Sequence, residues 1–325
     1  MSPARSLDDL GGLGGLGLGD LAGVIPILVT PFTPDGGVSL EDLDRQLEFL
    51  IGAGVRWAGF GFGSEVHRLG EAELASLVTR AVATSGGRLG IIGNAELRSV
   101  TGAIEQVRRV QATGAQLAMV RPGGLDGVGQ EDLFDAFAAV ADQGGLPIIV
   151  QDAPQNTGVQ LAPATLARLL SQVPGVAALK IEPANPARKI ELVAQELGDA
   201  GGTIIGGSGG QEYLWELQRG AIGTMPGPAH PELFAAVGRL HAKGDRGSAH
   251  ELMAQAMPLM ALGKRDMDTF LFVQKYVLMK RGVLRNTGLG RPHRDLDPHL
   301  PGEIDELLGA LALLDLFGRC RDAGL

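Results

Sequence analysis

Between residues 24 and 225 the chain repeats one pattern eight times: a short apolar run, then a longer segment with helical periodicity. The apolar runs fall at 24–29, 57–62, 89–92, 117–120, 147–151, 176–180, 203–205 and 222–225. They show little polar alternation, as strands of a parallel sheet buried on both faces do. The first helical segment starts at Ser39, with Asp42 three residues on as in an S-x-x-D cap, and sets Leu40, Leu43, Leu47, Leu50 and Ile51 on one face. Leu74, Leu77, Val78, Ala81 and Val82 repeat the stripe, as do Ile104, Val107 and Val110. Gly54, Gly114 and Gly220 stand where left-handed helix ends are expected, each just before the next apolar run. Eight such units in about 205 residues predict an α/β fold of the (β/α)8 TIM barrel type, with a C-terminal helical extension, rather than an open sheet. From Pro231 the pattern is helical only, at 231–243, 246–262, 269–281 and 301–321. The expected organisation is a flexible Gly/Leu-rich leader at 1–20, the barrel at 21–230 and a helical region at 231–325 suited to an oligomer contact.

Composition narrows the function classes. A net charge of -9 argues against nucleic-acid partners and anionic membrane surfaces. No stretch of about twenty residues is apolar and uncharged enough to span a membrane. The single cysteine, Cys320, permits no intramolecular disulfide and fits a reducing cytoplasm. The six histidines lack metal-ligand spacing, so no metal and no cofactor is expected. Neither a G-x-S-x-G elbow nor a G-x-x-x-x-G-K-[ST] loop occurs. The formal G-x-G-x-x-G at Gly12–Gly17 has no strand before it and no helix after it, and reads as an accident of composition.

Chemistry in such a barrel collects at the strand ends. Those ends carry Asn94 and Glu96 after run three, Arg121 after four, Gln151 and Asp152 after five, and Lys180 and Glu182 after six. Lys180 closes the apolar run Val176-Ala-Ala-Leu, where desolvation disfavours the ammonium and prepares an amine for Schiff-base chemistry. The plain alternative is a lysine whose head reaches water. The glycine-rich turns at Gly61 and Gly206 either present N–H groups to an anion or are simple tight turns.

Four segments, Ile25-Pro-Ile-Leu-Val-Thr-Pro-Phe32, Gly61-Phe-Gly-Ser-Glu65, Pro154-Gln-Asn-Thr-Gly158 and Leu179-Lys-Ile-Glu182, resemble the dihydrodipicolinate synthase / N-acetylneuraminate lyase family of class I aldolases. The resemblance runs from about residue 23 to the C-terminal region. It implies a homodimer or homotetramer, and a strand-six lysine, here Lys180, that forms an imine with pyruvate or another 2-oxo acid. It also implies that the turn at Phe62, Gly63 and Ser64 receives the oxo acid's carboxylate.

Several positions depart from the family pattern. Gln151 stands where the family has a proton-relaying tyrosine, and a glutamine side chain does not titrate. Phe62 and Gly63 replace a threonine pair, and Gly123 or Gly124 a second tyrosine. Asn156 replaces the arginine that receives the carboxylate of aspartate semialdehyde in the dihydrodipicolinate synthases. These departures argue against that particular synthesis. The expectation is a Schiff-base aldolase or dehydratase in which Lys180 is the nucleophile and Glu65, or next Glu182, moves protons. Phe62, Gly63, Ser64, Gln151 and Ser208 then bind substrate. A family member that kept the fold for binding and lost turnover is the alternative, and a specialised aldolase with a hydrophobic aldehyde against Phe62 is a third reading.

Overall fold

The computed structural model describes residues 21–322, and the expected leader at 1–20 lies outside them. Eight parallel strands form one sheet: β1 (Gly23–Val24), β2 (Trp57–Gly59), β3 (Gly90–Leu97), β4 (Leu117–Pro122), β5 (Ile148–Asp152), β6 (Val176–Ile181), β7 (Ile204–Gly206) and β8 (Gly223–Thr224). Neighbours run in the order β1-β8-β7-β6-β5-β4-β3-β2, and an Ile27–Gly59 bridge brings the two ends together. The result is the (β/α)8 barrel expected from the alternation. Helices α1 (Leu40–Gly52), α2 (Glu71–Ser85), α3 (Val100–Ala112), α4 (Gln130–Gln143), α5 (Pro154–Thr157), α6 (Pro163–Gln172), α7 (Pro186–Leu197) and α8 (Tyr213–Leu217) connect the strands.

Local chemistry explains the elements. The Ser39 hydroxyl accepts from the Asp42 N–H and opens α1, as the spacing predicts. Gly54, Gly114 and Gly220 all take positive φ at helix ends. Inside the barrel, Ile27, Ile92, Leu117, Met119, Ile149 and Ile205 pack among themselves. Outward residues such as Ile91, Ala118, Val150 and Leu179 pack against the helices. At Gly93 a side chain would collide with Val110 of α3, so this glycine lets helix and strand approach closely.

Two strands run longer than their apolar runs suggested. β3 continues to Leu97 and β4 to Pro122, which carries Asn94, Glu96 and Arg121 into the sheet rather than onto loops. Beyond the barrel come α9 (Pro231–Ala242), α10 (Arg246–Leu262), α11 (Met267–Lys280), α12 (Leu300–Ala310) and α13 (Leu313–Asp322). The single helix expected at 301–321 is broken at Ala312, whose φ is +47°. These helices share a second core with Val24, Val29 and Tyr213, so they are bound to the barrel flank. Among the described residues no helix is long and apolar enough to cross a membrane.

Candidate active site

The mouth of the barrel opens into a cavity of about 640 Å³ lined by residues from β5, β6, the turn after β2 and the C-terminal helices. Lys180 and Ala178 share the inward face of β6, and Lys180 is 4% exposed. Its Nζ lies 3.1 Å from Glu182 Oε2. Glu182 is itself held in place: Gln151 Nε2 donates to Oε2 at 2.7 Å, and the backbone N–H of Ser208 donates to Oε1 at 2.7 Å. Ser208 has φ +50°, a left-handed conformation rare outside glycine, and it presents that N–H to the carboxylate. At the preceding Gly207 any Cβ would collide with Glu182 Oε1. The Gln151 Oε1 is buried without a partner and its residue lines the cavity, leaving one acceptor free beside the amine.

Lys180, Glu182, Gln151, Ser208, Phe62 and Gly63 thus meet at one cavity. Ser208 contributes to this arrangement through its backbone N–H to Glu182. Two expectations are corrected. Glu65 does not line the cavity. It adopts φ +55°, is fully buried, and its oxygens are taken by Lys275 Nζ at 2.6 Å, Arg68 Nη1 at 3.2 Å and the Gly290 N–H at 2.7 Å. The reason is long-range: α11 crosses the turn after β2 and delivers a fully buried lysine that demands a counter-charge. Lys275 is lowered to about 8, burial pulling it down against the lift from Glu65, and the Gly288 carbonyl at 2.7 Å also favours the ammonium.

Ser64 is the second correction. Its hydroxyl donates to the Leu28 carbonyl and accepts from the Gly61 N–H at 3.1 Å, and its own N–H donates to the Gly61 carbonyl at 2.8 Å. The side chain holds the turn in shape, and the cavity face of that turn is Phe62 and Gly63.

Other residues at the cavity carry little local sequence signal. Phe270, Val273 and Gln274 of α11 and Leu259 and Met260 of α10 roof it, so the C-terminal region is part of the site. His67 lines it too, its pKa lowered first by burial and then by Arg68. His230 is stacked on Phe234 and Phe317, and burial holds its pKa near 3, leaving the ring neutral. The chain's two tyrosines, Tyr213 and Tyr276, lie in α8 and α11, and neither lines the cavity. Among the described residues no three His, Cys, Asp or Glu side chains gather as a metal site.

Comparison with known proteins accords with this geometry. Residues 20–309 match the model of the dihydrodipicolinate synthetase family. A 4-hydroxy-tetrahydrodipicolinate synthase of Xanthomonas axonopodis pv. citri is 31% identical, over 83% of this chain and 86% of that protein. An L-2-keto-3-deoxyarabonate dehydratase of Azospirillum brasilense is 27% identical, over 87% and 92%. The crystal structure of dihydrodipicolinate synthase from Rhodopseudomonas palustris superposes with a TM-score of 0.81 at 26% identity, covering 89% of this chain and 97% of that one. With its barrel, its strand-six lysine and a family match across nearly its whole length, the chain belongs to the dihydrodipicolinate synthetase family of lyase and aldolase-type enzymes.

Proposed function

We propose that the protein is a Schiff-base lyase, an aldolase or dehydratase, acting on pyruvate or another 2-oxo acid through Lys180. The observation that carries this reading is the contact between the buried Lys180 amine and Glu182 at 3.1 Å, inside a cavity large enough for a small substrate. That separation is within reach for direct proton transfer. Glu182 takes a proton from the ammonium, the free amine attacks C2 of the oxo acid, and Glu182 returns that proton to the departing hydroxyl, which leaves as water and gives the protonated imine. The protonated imine then draws electrons from C3, and the same carboxylate moves the proton there or on the departing hydroxyl. Gln151 orients Glu182 by its hydrogen bond, and its free Oε1 accepts from a substrate hydroxyl. The C1 carboxylate is received by the N–H groups of Phe62 and Gly63.

Glu182 therefore takes the proton-moving role for which Glu65 was the first candidate. Asn156 at the cavity, in place of a cationic side chain, favours a substrate other than aspartate semialdehyde. A homo-oligomer belongs to the same reading, supported by the family resemblance.

Incubation with pyruvate and borohydride followed by intact-mass and peptide mapping tests the chemistry. The expected result is a reduced adduct on Lys180 that is absent from Lys180→Ala. Failure of several 2-oxo acids to leave any adduct would refute the imine and favour a family member that only binds.

A further inference from the structure

One group of inward side chains at the barrel mouth has no part in the scheme above. Arg121 on β4 is 6% exposed. Its Nη1 donates to Asn94 Oδ1 of β3 at 2.7 Å, and Glu96 lies 3.6 Å from Nη2, beyond hydrogen-bond distance. Glu96 turns instead to Arg98, at 2.8 Å. Two buried donors are left over, Arg121 Nε and Asn94 Nδ2, on adjoining strands and on side chains bonded to each other. Buried donors without acceptors are rare in folded proteins.

The position is close to the reactive amine. Val120 pairs with Val150, so Arg121 and Gln151 are neighbours one residue on, and Gln151 pairs with Lys180. At about 4.8 Å per strand, the Arg121 and Lys180 backbones stand roughly 10 Å apart in one layer of the barrel. Arg121 does not itself line the cavity, but Phe62 does, and its ring centroid is 4.4 Å from the guanidinium carbon. An aromatic face is a weak partner for a cation.

We propose that Arg121 and Asn94 form a receptor for a second carboxylate of the substrate, with Phe62 as its cover, so that the site selects dicarboxylic 2-oxo acids. The inference rests on the imine reading of Lys180 and specifies its substrate class. The carboxylate accepts a charge-assisted hydrogen bond from Arg121 Nε, and Asn94, bonded to Nη1, holds the guanidinium in place. The C1 carboxylate stays on Phe62 and Gly63, and the C2 carbon faces Lys180.

The test compares borohydride trapping of 2-oxoglutarate with that of 2-oxopentanoate, a monoacid of equal chain length, and with pyruvate. The wild type is expected to half-saturate with 2-oxoglutarate at a concentration at least tenfold below that for 2-oxopentanoate. Arg121→Met is expected to erase that preference while still trapping pyruvate, and Arg121→Lys to reduce it. If Arg121→Met does not fold, the wild-type ratio and Arg121→Lys decide. Equal trapping of the two five-carbon acids by the wild type, or a preference that survives in the variants, overturns the receptor and leaves the imine intact. Absence of any adduct with all three acids overturns the imine and the receptor together.

Discussion

Glu216 of α8 offers a quantitative test of the electrostatics around the site, independent of turnover. It is fully buried, its carboxyl oxygens have no side-chain partner and only the Gly207 N–H near them, and it packs on Gly206 so closely that any Cβ there would collide with it. Burial first, then the charges of Glu182 and Glu212, raises its pKa from 4.5 to about 8. Between those values the folded chain holds a proton that the unfolded chain has released. Stability from this group is therefore complete below about pH 4.5 and is lost as pH rises towards 8. At 1.36 kcal/mol per pH unit, the interval from 4.5 to about 8 corresponds to about 5 kcal/mol. Glu216→Gln keeps the shape of the protonated acid and removes the titration. Equilibrium urea unfolding of wild type and variant at each unit from pH 5 to pH 9 isolates the group, because other titrations are common to both. The variant is expected to gain on the wild type by about 1.4 kcal/mol per pH unit up to pH 8 and then to hold that advantage. A stability difference that stays constant from pH 5 to pH 9 would refute the claim that this carboxyl is kept neutral by burial.

Further outcomes follow from the same geometry. Lys275→Met leaves Glu65 buried with only Arg68 and one N–H, and is expected to lower stability by about 3–5 kcal/mol in the same unfolding assay. Gly207→Ala places a Cβ against Glu182, and is expected to leave circular dichroism unchanged while slowing imine formation on Lys180 about 10²-fold, read by time-resolved borohydride trapping. Trapping at the wild-type rate would show that Glu182 can move without consequence.

Much of the barrel is legible in the linear pattern because it rests on local rules. Unbroken apolar runs, period-3.6 stripes, the Ser39 cap and the positive-φ glycines each act within a few residues, and eight repeats leave few ways to bury eight apolar runs. Lys180 is legible for the same reason, standing in phase with the inward-facing Ala178. Glu65 is not, because its environment comes from Lys275 and Gly290, more than two hundred residues away. The single helix at 301–321 failed at Ala312, where a left-handed residue breaks an otherwise helical pattern.

The sequence by itself therefore determined the architecture and the inward place of Lys180 at the end of β6, both products of patterns carried on single segments. Only closure of the barrel and the docking of α11 decided which carboxylate stands by the amine. Glu182 stays because Gln151 from β5 and the Ser208 N–H after β7 converge on it. Glu65 is withdrawn because a buried lysine needs its charge. Such pairings depend on where distant strands and helices come together in space, and no local preference encodes that.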